Sequence, residues 1–82
     1  MNYENDGNVE LVCDHIKDRD VLKAVLFAVV MVRRGTRPNI ANSRAAKYYN
    51  VKVSEVAFYS GQHAARIASS RRNRQNGIDS ID

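Results

Sequence analysis

Between Val21 and Val32 the chain reads VLKAVLFAVVMV, apolar except for Lys23. Crossing a bilayer takes roughly twenty apolar residues, and this run is about twelve long, so it predicts a buried helix in a soluble protein. Asp18 or Asp20 can cap it by accepting from the free amides of the first turn. Arg33 and Arg34 suit the negative end of its dipole, and Gly35 can stop it. A chain of 82 residues has room for one domain, three or four helices around a single layer of apolar side chains. Leu22, Val25, Leu26, Val29 and Val30 form one stripe of this helix, while Val21, Ala24, Ala28, Met31 and Val32 cover much of the rest. A peripheral helix in so small a domain cannot bury two sides, which makes the Leu22–Val30 stripe an expected homodimer interface. The alternative is a central helix enclosed by its own chain.

Downstream, Thr36-Arg37-Pro38-Asn39 interrupts regular structure, because Pro lacks the amide a helix interior needs and restrains its predecessor. A new helix, capped by Asn39 or Thr36, then carries Ile40, Ala41, Ala45, Ala46 and Tyr49 to a turn at Asn50. Over residues 42–61, NSRAAKYYNVKVSEVAFYSG, the small, turn and apolar residues fall where a helix-turn-helix needs them. Ala45 and Ala46 stand where two helices cross and only small side chains permit close approach. Asn50 stands at the turn, which takes a left-handed backbone that Gly tolerates best and Asn next best. Tyr49, Val51, Val56 and Tyr59 fall where the pair packs on a third helix. Val53, Val56, Tyr59 or Ser60, His63 and Ile67 continue at helical spacing, predicting a second helix over about 53–72, with Gly61 a candidate break.

The remaining segments are less regular. Leu11, Val12 and Ile16 suggest a short helix with Asp14 and Lys17 outside. Residues 1–9 and 73–82 have no apolar stripe and read as flexible ends, leaving 10–72 as the folded domain. No alternation is long enough for a sheet, so the expected fold class is all-α: a small helical domain of three to four helices containing a helix-turn-helix.

Charge is distributed unevenly. Residues 1–20 carry Glu4, Asp6, Glu10, Asp14, Asp18 and Asp20 against Lys17 and Arg19. Residues 33–74 carry Arg33, Arg34, Arg37, Arg44, Lys47, Lys52, Arg66, Arg71, Arg72 and Arg74 against Glu55 alone, a net charge of +9. A local excess of this size attracts a polyanion and raises its encounter rate. A helix-turn-helix uses such charge by laying its second helix in the major groove of DNA while the first crosses the backbone. The candidates for phosphate contact are Arg33, Arg34, Arg37, Arg44, Lys47, Arg66, Arg71, Arg72 and Arg74, and those for base contact are Lys52, Val53, Ser54, Ala57, Phe58 and Gln62. Lys52 can donate to guanine, Ser54 can bond several edges, and Val53 or Ala57 can meet a thymine methyl group. This face is short of long polar side chains, which points to modest direct readout supplemented by DNA shape or a protein partner.

On AAKYYNV followed by VSEV, the chain resembles small bacterial and phage helix-turn-helix regulators of the repressor and Cro kind, fully over about twenty residues and loosely over about forty. A looser similarity, to fimbrial operon regulators, lies in the apolar helix before the motif and the Arg-containing helix after it. Asn50 replaces the Gly commoner in the family, and Lys52 stands where Ser or Thr often caps the second helix. The resemblance implies a DNA-binding transcriptional regulator that acts as a dimer on paired half-sites. Repression is the expected role, because no separate activating or ligand-binding domain is read from the sequence, and the lone Cys13 suits a reducing cytoplasm, with action at the nucleoid. The competing readings are a small adaptor or inhibitor of a nucleic-acid enzyme, and an RNA binder using the same basic face, with Tyr48 and Phe58 as stacking residues.

Other chemistry finds little support. Cys13 and His15 lack the further ligands of a zinc site, and one cysteine makes no internal disulfide framework. No spacing ties a nucleophile to a base, and no Gly-rich phosphate loop occurs, so neither an enzyme nor a cofactor is expected. The acidic N-terminus is unlike a secretory signal.

Overall fold

The computed structural model describes residues 10–81, with side chains through Ser70. The lead-in expected over residues 1–9, and the side chains of Arg71, Arg72 and Arg74, lie outside the described residues. Every regular element described is a helix: α1 (Arg19–Arg33), α2 (Pro38–Tyr49) and α3 (Val53–Ile81). The chain is thus all-α, and no described helix is long and apolar enough to cross a membrane.

Each helix boundary has a local cause. Asp18 caps α1, its Oδ1 accepting from the amides of Asp20 at 2.8 Å and Val21 at 3.4 Å. At the other end Gly35 takes φ +103°. The Gly35 amide donates to the Val32 carbonyl at 3.0 Å and the Thr36 amide to the Met31 carbonyl at 2.9 Å, the paired closure of a Schellman motif. Asn50 ends α2 in the same way. It has φ 56° and ψ 49°, its amide donates to the Lys47 carbonyl at 3.4 Å, and the Val51 amide donates to the Ala46 carbonyl at 2.9 Å. The start of α2 departs from expectation, since neither Thr36 nor Asn39 caps it. Arg37 is the N-cap without a side-chain bond, and Pro38 opens the helix. Proline's fixed φ suits a first helical position, where its missing amide costs nothing.

Small residues make the core. Val21, Ala24, Val25, Ala28 and Val29 of α1 meet Ala41, Ala45 and Ala46 of α2, Val56 of α3 and Ile16 before α1. Tyr49, Val51 and Tyr59 pack against this cluster from its margin. The placement of α1 corrects the interface expectation. Val25, Val29 and Val30 are buried within the chain, so of the proposed stripe only Leu22 and Leu26 retain partial exposure. α1 is the central helix, covered on one side by α2 and on another by α3. Most of the second side that a peripheral helix would leave bare is covered by its own chain, with Leu22, Leu26 and Met31 partly exposed and Val32 exposed.

Two further segments differ from the sequence reading. Residues 10–18 are not helical but form a strap laid against α3. The amides of Val12 and Asp14 go to side chains of α3 instead of to carbonyls four residues back. α3 is also longer than expected, unbroken at Gly61 and continuing past Arg72 to Ile81, which replaces the unstructured reading of residues 73–81. An apolar stripe reports packing and not helicity, and no proline interrupts this stretch. At 29 residues α3 is roughly 43 Å long.

Candidate nucleic-acid interface

Only Asn50, Val51 and Lys52 separate α2 from α3. The left-handed Asn50 reverses the chain over that short distance, and the 0 % exposed Ala41 and Ala45 let the helices close on the core. A buried polar tie fixes their relation: the Ser60 hydroxyl donates to Asn42 Oδ1 at 2.8 Å, with Asn42 only 8 % exposed. Val56 faces inward at 0 % exposure, and helical geometry therefore turns the residues around it outward.

Lys52, Val53, Ser54, Ala57 and Phe58 are exposed at the start of α3. Phe58 is the most apolar part of this face at 57 % exposure. Gly61 follows on the exposed surface, and a Cβ there would meet nothing within 4 Å. Arg44 and Lys47 are exposed on α2, while Arg33, Arg34 and Arg37 are exposed around the α1–α2 connection. Glu55 is exposed near the start of α3, where its charge favours the helix dipole.

Gln62 and Arg66 stand apart from the other candidates because the strap engages both. The Asp14 amide donates to Gln62 Oε1 at 3.0 Å, and Gln62 Nε2 donates back to Asp14 Oδ2 at 3.0 Å. Arg66 Nη2 donates to Asp14 Oδ1 at 2.9 Å. One turn of α3 thus holds both carboxylate oxygens of a residue about fifty positions away, and Gln62 is not open for base contact in this state. The bond from Gln62 and then the Arg66 guanidinium hold the Asp14 carboxyl below its ordinary range. Next to them, the Val12 amide donates to His63 Nδ1 at 3.0 Å, an arrangement only neutral imidazole can accept. Burial, with Arg33 adding to it, pushes His63 down from its ordinary value, consistent with that neutral form.

The strap's other side chains settle their own questions. Cys13 packs at the core margin, and burial raises its thiol, so it behaves as a small apolar residue. Beyond Ile16, a groove of about 430 Å³ separates the strap from α3, lined by His15, Lys17 and Asp18 on one bank and Ser54, Glu55 and Phe58 on the other. Among the described residues no group of three or more His, Cys, Asp or Glu side chains could hold a metal ion.

Sequence reasoning singled out Tyr48 but missed its partner. Tyr48 is 72 % exposed and stacks on Phe27 of α1, with ring centroids 5.5 Å apart and planes 10° from parallel. Tyr49 meets both rings edge-on. Phe27 lies within an almost uniformly apolar run, so nothing in the local pattern marked it. The roles of Asp14 and His63 were equally hidden, since their partners are remote in sequence; the only signal was an acidic segment preceding a basic one. No protein-family model matches this chain, and comparison with curated proteins and with solved structures finds no match to either.

Proposed function

We propose that the chain is a duplex DNA-binding transcriptional regulator, a repressor that inserts the start of α3 into the major groove. The observation carrying this reading is the combination at the α2–α3 turn: a three-residue connection that begins with left-handed Asn50, an exposed helix start, and exposed Arg44, Lys47 and Lys52 around it. Lys52 and Ser54 are the polar base contacts, while Val53, Ala57 and Phe58 offer apolar contact to thymine methyl groups. Arg33, Arg34, Arg37, Arg44 and Lys47 serve the phosphates. Action as a homodimer on paired half-sites belongs to the same proposal, with Leu22 and Leu26 as the part of the original stripe able to contribute. Its place of action is the cytoplasm, at the nucleoid.

A titration of the full chain against duplex DNA, duplex RNA and single strands at two salt concentrations tests this reading. If about six phosphates are neutralised, the log–log salt dependence on duplex DNA has a slope on the order of −5. Absence of duplex binding at low salt defeats the proposal. Light scattering tests the dimer, which fails if the free chain is monomeric at high micromolar concentration. A second reading, a small adaptor or inhibitor of a nucleic-acid enzyme, draws on the exposed Val53 and Phe58 beside the strap groove. Binding to a nucleic-acid enzyme without binding to nucleic acid would favour it.

A further inference from the structure

We propose that Gln62 and Arg66 form a grip for one backbone phosphodiester of duplex DNA, and that the Asp14 carboxylate occupies this grip in the free chain. The inference rests on the DNA-binding reading above and adds to it a specific anion site and a competitor built into the fold.

The geometry is that of an oxyanion fork. Gln62 Nε2 and Arg66 Nη2, from residues one helical turn apart, each reach a different oxygen of the same carboxylate, at 3.0 and 2.9 Å. The two non-bridging oxygens of a phosphodiester present a similar fork with the same single charge, and guanidinium groups recognise both. The site is accessible, since the Arg66 and Asp14 side chains are 45 % and 62 % exposed. An ion pair so exposed to water is weak and salt-sensitive, and therefore exchangeable.

Location supports exchange with DNA in particular. The strap borders the groove whose other bank includes Ser54 and Phe58 of the proposed reading face. DNA seated on that face brings its phosphates towards Asp14 and Asp18, and repulsion then acts on the strap while attraction acts on Arg66. The other polar contacts of the strap are hydrogen bonds, from the Val12 amide to His63 and from the Asp14 amide to Gln62, while the partly buried Leu11 and Cys13 add apolar contact at the core margin. Ile16, 8 % exposed, keeps the next part of the strap in the core, so release is confined to the residues before it.

The test combines binding titrations with NMR on the full chain. Anisotropy with a duplex of about twenty base pairs compares wild type, Asp14→Ala, Arg66→Ala and the double variant, with thermal unfolding as a folding control. Asp14→Ala is expected to bind on the order of three- to tenfold more tightly, because the grip no longer has to be vacated, with a salt slope close to that of wild type, since the same phosphate is neutralised in both complexes. Arg66→Ala is expected to bind more weakly, and the double variant to match Arg66→Ala, since the competitor has no effect once the grip is gone. In wild type, the Val12 and Asp14 amide resonances should shift in step with DNA saturation. Unchanged or weaker binding by Asp14→Ala, or strap resonances that stay fixed while duplex binds, overturns the grip alone. Failure of both wild type and Asp14→Ala to bind duplex overturns the DNA-binding reading and the grip together.

Discussion

The joint between α1, α2 and the Asn50 turn contrasts with the seam between the strap and α3. At the joint, side chains of one to three carbons are fully buried, and the chain reverses through closures made entirely by the backbone. At the seam, side chains of Gln62, His63 and Arg66 reach out to backbone amides and a carboxylate in water. The first arrangement has one well-packed solution, because any added volume meets a neighbour. The polar bonds of the second can be undone and remade more readily, since their groups find equivalent partners in solvent or in a ligand, and only the partly buried Leu11 and Cys13 lose apolar contact when they part. A small domain can therefore hold its helices rigid and still keep one helical face open to exchange.

The sharpest way to break this contrast is to enlarge the joint. Ala45→Leu forces three extra carbons into the α2 crossing and should cost about 3 kcal/mol, the upper end for overpacking, as read by urea denaturation. A loss below about 1 kcal/mol would show that the helices can separate there, and the joint would be no more rigid than the seam. The turn offers a smaller effect. Asn50→Ala should lose about 1 kcal/mol, because an ordinary side chain resists the left-handed backbone, whereas Asn50→Gly should match or slightly exceed wild type. Equal effects of the two variants would mean that the turn does not depend on this conformation.

The smallest effect separates seam from joint by pH. His63 has its proton affinity lowered in the folded chain, so the undocked strap state takes up a proton first as pH falls through about 6.5. Strap docking is thus at full strength above that pH and weakens below it, as Nδ1 gains the hydrogen that the Val12 amide cannot face. Further acid removes the Asp14 contribution as well, once its carboxyl protonates. Hydrogen exchange corrected for intrinsic rates should show Val12 protection falling as the pH drops below about 6.5 while Ala45 protection holds. Parallel loss at both positions would merge the two regions into one cooperative unit.

Much of the joint was legible from sequence because its rules are local. Few residue types tolerate the backbone of Asn50, only small ones fit where Ala45 and Ala46 lie, and Asp18 and Gly35 act on residues within five positions. The seam was illegible for the opposite reason. Leu11, Val12 and Ile16 satisfy helical spacing, but the amides of Val12 and Asp14 are claimed by side chains from the far end of the chain. The same distance hid the occupation of Gln62, which looked like a free base-reading residue. The Leu22–Val30 stripe misled because an apolar face shows that it will be covered without showing by what; here Val25, Val29 and Val30 are covered by the chain itself.

The separation of partners along the chain also orders the assembly of this domain in time. The Asn42–Ser60 tie spans 18 residues, while the bonds of Val12, Asp14 and Arg66 across the seam span 48 to 52. Closing the longer loop costs more entropy and, before Ile16, is repaid by exposed hydrogen bonds and by the partial burial of Leu11 and Cys13. The three helices are therefore expected to collapse first as a local unit, with residues 10–15 settling onto a surface already formed. The same order run backwards makes the strap the first segment to open under native conditions, and a protease with a site there would nick the chain long before the helices unfold.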